Sequence, residues 1–340
     1  MKYGISMLLS AWTLALSSLS VAQDSSVLVL EATIPLPDVT GRLDHLSVDV
    51  KGERLFLAAV GKGTLEVIDL KTNRRIHTIT DLAEPQGVFY EPSTNRLFVA
   101  CGGNGATQIF DGTSFQAIAT VKFPEDADNI RYDARGKHVI VGYAGAKELR
   151  KRMEGTGALG FLDLNGKKIG EVVIDAHPES FQLEKSGTRL FVNVPDKKEI
   201  EVVDLHKLTI LDRWPVTSAR ENFPMTLDEA HHRLYVATRS PPRMLVFDTQ
   251  TGKEVASVET SGGSDDLFYD AKSGRIYVLT SAESLDVFQH HDPDRYERMA
   301  QYPTPPHTQT GLFVPEWGRL FAASQSQGEH SAEIRIYQAH

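Results

Sequence analysis

One short apolar string, repeated seven times, constrains this chain more than any other feature. The copies are Arg54-Leu-Phe-Leu-Ala-Ala59, Arg96-Leu-Phe-Val-Ala-Cys101, His138-Val-Ile-Val-Gly-Tyr143, Arg189-Leu-Phe-Val-Asn-Val194, Arg233-Leu-Tyr-Val-Ala-Thr238, Arg275-Ile-Tyr-Val-Leu-Thr280 and Arg319-Leu-Phe-Ala-Ala-Ser324. Their first residues are spaced by 42, 42, 51, 44, 42 and 44 positions. A unit of that size cannot bury its own apolar face, so the copies must pack on one another.

Each copy sits in a wider pattern. An acid closes an earlier run five residues before most copies, at Asp49, Glu91, Asp133, Glu184, Asp228 and Asp270. A third run follows and ends in a turn, as in Val67-Ile-Asp-Leu70, Ile109-Phe-Asp111, Phe161-Leu-Asp163, Val202-Val-Asp-Leu205 and Val246-Phe-Asp248. A fourth run comes next, as in Ile76-His-Thr-Ile79 and Ala117-Ile-Ala-Thr-Val121. Four β-branched and aromatic strands per unit, separated by Gly, Asp, Asn and Lys turns, describe an antiparallel blade. The predicted fold class is therefore all-β, a seven-bladed β-propeller.

Ring closure is legible as well. The last unit stops after Ile336-Tyr337 and lacks a fourth strand, whereas residues 27–35 have fourth-strand character and no three strands before them. Pairing the two completes the seventh blade and removes an exposed edge. The acids before the second strands, and Asp69, Asp111, Asp163, Asp204 and Asp248 at the third-strand ends, read as turn residues whose carboxylates accept from nearby backbone N–H groups.

The Arg-Leu-Phe/Tyr-Val-Ala strings and Val-Ile-Asp-Leu turns resemble the YVTN-repeat family of bacterial exported propellers, over essentially the whole chain after its leader. No copy reads literally Tyr-Val-Thr-Asn. The resemblance implies a seven-bladed fold and a periplasmic or extracellular home. It implies little chemistry, because such propellers include binding proteins, lactonase-like hydrolases, lyases and quinoprotein subunits.

Residues 1–22 read as a secretory leader: Lys2, an apolar stretch over residues 5–16, and small residues Ser20 and Ala22 before a cut at Gln23. Residues 23–340 then form a single domain, expected to be monomeric, with no membrane insertion. Cys101 is the only cysteine, so no internal disulfide forms, and its apolar string makes it a small buried hydrophobe. The 36 Lys and Arg face 45 Asp and Glu. That balance argues against nucleic acid, which binds through neutralised phosphates.

The residues entering the innermost strands are unusually polar. Aligned by repeat, they are Leu43-Asp44-His45, Pro85-Gln86-Gly87, Ala127-Asp128-Asn129, Pro178-Glu179-Ser180, Asn222-Phe223-Pro224, Ser264-Asp265-Asp266 and Thr308-Gln309-Thr310. Innermost strands pack around the axis, so these side chains are expected to converge at one mouth of the central channel. His177 and His307 lie on the same face, as does Arg239. The extended segment over residues 142–157 adds Lys147, Arg150, Lys151 and Arg152 there, beside Arg243 from another loop.

Two functions suit this ring. In the first, an exported binding or scaffold module captures a small polar or anionic ligand, or a protein partner, with Asp44, Gln86, Asp128, Asn129, His177, Asn222, Asp265, Asp266 and Gln309 as the binding residues. In the second, a lactonase-like hydrolase or lyase uses His45 or His307 as general base, Asp128, Glu179, Asp265 or Asp266 to orient it or to hold a divalent metal, and Arg239 to stabilise developing negative charge. No cofactor is fixed by any motif. A phosphate-binding loop, a nucleophile elbow and a haem-attachment motif are all missing from the sequence.

Overall fold

The computed structural model describes residues 26–145, 157–292 and 294–340. The expected leader and the cations Lys147, Arg150, Lys151 and Arg152 lie outside the described residues. Seven four-stranded antiparallel sheets are arranged as the repeats require. Blade 1 consists of Leu46–Asp49, Arg54–Ala59, Thr64–Asp69 and Arg74–Ile79, from the innermost strand outward. Blades 2 to 6 repeat this order, and every recurring apolar string forms a second strand. Those strands are covered on both faces by neighbouring blades, which is why they are continuously apolar rather than alternating. The seven apolar clusters lie between consecutive blades; one joins Phe56, Val67 and Ile79 of blade 1 to Tyr90, Leu97 and Cys101 of blade 2. Cys101 is fully buried there, and burial pushes its thiol up to about 11, so it packs rather than reacts.

Blade 7 is composite. Its inner strands are Thr310–Val314, Arg319–Ser324 and Ala332–Ala339, and its outermost strand is Leu28–Leu36 from the start of the chain. The pairing runs from Leu28 opposite Ala339 to Leu36 opposite Ala332. Leu28, Ile34 and Leu36 are buried in the process.

The turn acids act as their positions imply. Asp49 accepts from the Gly52 N–H at 2.9 Å and Glu91 from Thr94 N–H at 2.8 Å. Asp69 accepts from Lys71 N–H and Asp248 from Thr251 N–H. These carboxylates lock hairpins on the face away from the polar ring.

Three fully buried acids escaped the sequence reading: Glu66, Glu201 and Asp286, at one equivalent position of the third strand in blades 1, 4 and 6. Asp286 takes the N–H and hydroxyl of Ser261, both at 2.7 Å, and so holds the segment that crosses from blade 5. Glu66 accepts from Thr64, Thr78 and Arg75, which in turn binds Asp38 in the segment entering blade 1. Glu201 holds the crossing at Asp175 N–H with one oxygen, while its Oε2 has no hydrogen-bond partner. Burial pushes that carboxyl up to about 7. Above neutral pH its ionised form therefore opposes folding. Glu201→Gln is expected to leave stability at pH 8 unchanged or higher, whereas Glu66→Gln should lose about 1–3 kcal/mol, because one amide oxygen replaces the two carboxylate oxygens that accept from Arg75, Thr64 and Thr78. Denaturant unfolding of both variants checks the contrast, and equal losses would rule it out.

Candidate functional site

Innermost strands would ordinarily run in regular register with their neighbours. Here the ladder between first and second strand slips at the mouth in four blades: between Pro85 and Val88, Ala127 and Ile130, Asn222 and Met225, and Ser264 and Asp266. The ring residues Gln86, Asp128, Phe223 and Asp265 fall within those irregular stretches. A bulge of this kind releases a residue from the ladder and re-aims its side chain, here into the channel. Gly87 serves the same crowding: a Cβ on it would meet the Asp128 carbonyl oxygen at 2.0 Å, so only glycine fits between blades 2 and 3.

The result is a hollow of about 260 Å³ at the channel mouth. All seven middle positions of the aligned entries line it: Asp44, Gln86, Asp128, Glu179, Phe223, Asp265 and Gln309. His45, Asn129, His177 and Arg239 line it too, as the sequence suggested. Arg42, Asp126 and Ser180 join them. Arg42 and Asp126 were missed, although each stands two residues before a ring position, where the period-two alternation of an extended chain returns a side chain to the same face.

Four expected members fall elsewhere. Asn222 is fully buried between blades 4 and 5, donating to Asn193 Oδ1 at 3.0 Å and to the Glu199 carbonyl at 3.1 Å, so it binds blades together instead of facing the hollow. His307 is exposed in the turn after Pro305-Pro306 and does not line the mouth, which removes it as a general base there. Asp266 faces the next chamber down the channel, about 320 Å³, where it accepts from Gly311 N–H at 2.9 Å. Arg243 bonds Ser257 at 2.9 Å and is likewise absent from the lining.

Opposite charges are interleaved around the mouth. Arg42 binds Asp44 at 2.8 Å and also donates to Gln86, whose amide reaches Asp126 at 3.1 Å. Arg239 pairs with Asp265 and stacks over Phe223, its guanidinium 4.0 Å from the ring centre. Gln309 donates to the other oxygen of Asp265 at 2.8 Å. His177 stands 3.3 Å from Glu179 and 3.5 Å from Asp126. His45 forms the floor, also bordering the lower chamber, with Asp266 at 3.5 Å, Asp44 at 3.6 Å and Asp128 at 3.9 Å. Below it, Arg131 lies over Phe181 and donates to the Ile130 carbonyl.

These neighbours set the protonation states. Burial alone would lower the His45 imidazole, but Asp44, Asp266 and Asp128 outweigh it and raise it to about 10. His177 rises to about 9, since Glu179 and the nearby aspartates overcome its burial. Both histidines are therefore cations at neutral pH, which argues against His45 as a neutral general base. The acids move upward too. Burial, then Asp44 and Glu179, bring Asp128 to about 7, and burial brings Asp265 to about 6 despite Arg239. Crowded carboxylates that cannot all ionise together are a common mark of functional sites.

Two acceptor atoms remain open. Asp128 Oδ1 and Asn129 Oδ1 are both buried and accept no hydrogen bond from the protein, and beside them the buried His177 Nε2 is an open donor. Carboxylate and imidazole atoms lying within 4.8 Å of one another, as a shared ion needs, occur among the described residues in two groups, and neither is at the mouth.

No family model matches the chain, and no curated protein is similar to it in sequence. Among solved structures, it is similar to a chain in the crystal structure of the mitotic checkpoint complex, with TM-score 0.76, 13% identity and 99% of each chain covered. It is also similar to a chain of Kuenenia stuttgartiensis hydrazine synthase, with TM-score 0.70, 14% identity, and 84% of this chain and 94% of that one covered. At such identities the likeness shows the propeller fold alone.

Proposed function

We propose that this propeller is a binding module that captures a small polar ligand bearing N–H or O–H donors, an amine or a polyol, at the ringed mouth. The observation that carries this is the pair of open buried acceptors, Asp128 Oδ1 and Asn129 Oδ1, beside the hollow. A buried acceptor without a donor costs roughly 1–3 kcal/mol, so a ligand that supplies donors gains what the empty site lacks. Arg42 and Arg239 are already held by Asp44 and Asp265, and the His45 and His177 cations stand among Asp44, Asp266, Asp126 and Glu179, which leaves an anionic ligand to compete with internal carboxylates for all four cations. That weighs against the anionic half of the sequence expectation. The two partly titrating acids, Asp128 and Asp265, suit a cationic amine, whose charge would favour their ionised forms.

The test is Asp128→Asn, assayed by melting-temperature shift and calorimetry against a panel of small amines and polyols, with carboxylates and phosphates alongside. At pH 8 the ionised Asp128 opposes folding, so the variant should match the parent or gain up to about 2 kcal/mol of stability. Affinity for a donor-bearing ligand should nevertheless fall at least tenfold. Capture of anions alone, or undiminished amine binding in the variant, would overturn the reading.

A further inference from the structure

The turn acid of blade 5 departs from the way its equivalents work. In blades 1 and 4 the arginine five residues on returns to the turn acid: Arg54 binds Asp49 at 2.7 Å and Arg189 binds Glu184 at 2.5 Å. In blade 5 the corresponding Arg233 instead reaches Asp248 at 2.6 Å and Asp294 at 3.0 Å. Two imidazoles stand at Asp228. His231, from the turn itself, places Nδ1 2.7 Å from Asp228 Oδ2, and His290, from the third strand of blade 6, places Nδ1 3.9 Å from the same oxygen. One ligand atom from each of the three residues lies within 4.8 Å of the others.

Burial divides their roles. Asp228 and His290 are almost wholly buried, with side chains 2% and 6% exposed, while the His231 side chain is half exposed. His290 Nε2 has no hydrogen-bond partner, and its ring lies stacked on Tyr296, centres 5.3 Å apart. The rings of His231 and His290 meet edge to face at 5.1 Å. A buried carboxylate, a buried imidazole and a second imidazole open to solvent make a three-residue ligand set with one side accessible.

We propose that Asp228, His231 and His290 form a divalent transition-metal site, with zinc the preferred ion, at the junction of blades 5 and 6 on the face opposite the ringed mouth. Two imidazoles and one carboxylate are a donor set that suits zinc and is too poor in oxygen for calcium or magnesium. Tetrahedral coordination with bonds of about 2.0–2.1 Å separates ligand atoms by roughly 3.3 Å. The 2.7 Å pair must open, for which half-exposed His231 has room, and the buried Asp228–His290 pair must close from 3.9 Å by a small turn of either side chain, each by about 0.6 Å on that geometry. The ion would replace the His231–Asp228 hydrogen bond, the Nδ1 proton passing to Nε2 by exchange with solvent, and solvent fills the fourth position. This site is independent of the ligand proposed for the mouth.

The experiment uses untagged, chelator-treated protein titrated with zinc chloride by calorimetry in two buffers of different ionisation enthalpy, with the melting temperature followed in parallel. One ion per chain in both buffers and a raised melting temperature are expected. His231→Gln, on the exposed side of the cluster, should weaken binding on the order of 10–100-fold while melting like the metal-free parent. His290→Gln should do the same if it folds, and His177→Gln, in the mouth, should bind zinc as the parent does. Absence of binding in the parent at 100-fold molar excess, or unchanged affinity in His231→Gln, would overturn the assignment.

Discussion

Deleting residues 28–36 is expected to lower the melting temperature by roughly 10 °C or more and to turn a soluble protein into an aggregating one. This strand contributes the outermost ladder of blade 7 and buries Leu28, Ile34 and Leu36. At about 1.5–3 kcal/mol per fully buried aliphatic side chain, those three residues alone represent about 5 kcal/mol or more. The loss also exposes the Ala332–Ala339 strand as an unpaired edge, a template for pairing with another chain. Thermal unfolding and light scattering of the deletion variant check this. A variant as soluble and heat-stable as the parent would show that the ring does not depend on this closure.

His45 should make stability depend on pH in a particular direction. Folded, its imidazole holds a proton up to about 10; unfolded, an imidazole releases it near 6.5. Its contribution is therefore fully present below about pH 6.5 and is lost as pH rises to about 10. His45→Gln removes the cation from among Asp44, Asp128 and Asp266, and should cost about 3 kcal/mol near pH 6 and little near pH 10. Unfolding free energies of parent and variant from pH 6 to 10 provide the measurement. A gap between them that stays constant over that range would mean that the aspartates do not hold the proton.

Much of the fold was legible because a propeller writes its geometry into spacing. Each Arg-Leu-Phe-Val-Ala string is buried on both faces, so it cannot vary to polar residues without cost, and the period survives in all seven copies. The same regularity located the mouth, since residues aligned by repeat share a height on the axis. All seven middle positions reached the hollow for that reason. What escaped was anything set by one blade's departure from the average. Asn222 is next to a ring residue in sequence, yet the register slip between Asn222 and Met225 turns it into the blade 4–5 seam. His307 looked like a base beside Gln309, but the turn after Pro305-Pro306 leaves it in solvent. Glu66, Glu201 and Asp286 read as ordinary alternating polar residues, because burial at a blade junction depends on a neighbour more than 20 residues away in sequence, as with Asp175 and Glu201.

The composite seventh blade also orders events in time. The strand Leu28–Leu36 is synthesised before blades 1 to 6, and its partner Ala332–Ala339 after them. No ring can shut until Ala332–Ala339 is available, so six self-contained blades can form while the seventh waits. Contacts that join the two ends of a chain are the slowest to find, because the entropy of closing so long a loop must be overcome first. The slowest folding step should therefore be the docking of the first strand, and until it occurs the apolar face of blade 7 is bare. For that interval the bare edge is a template on which a second unfinished chain can pair, whichever blade folds first.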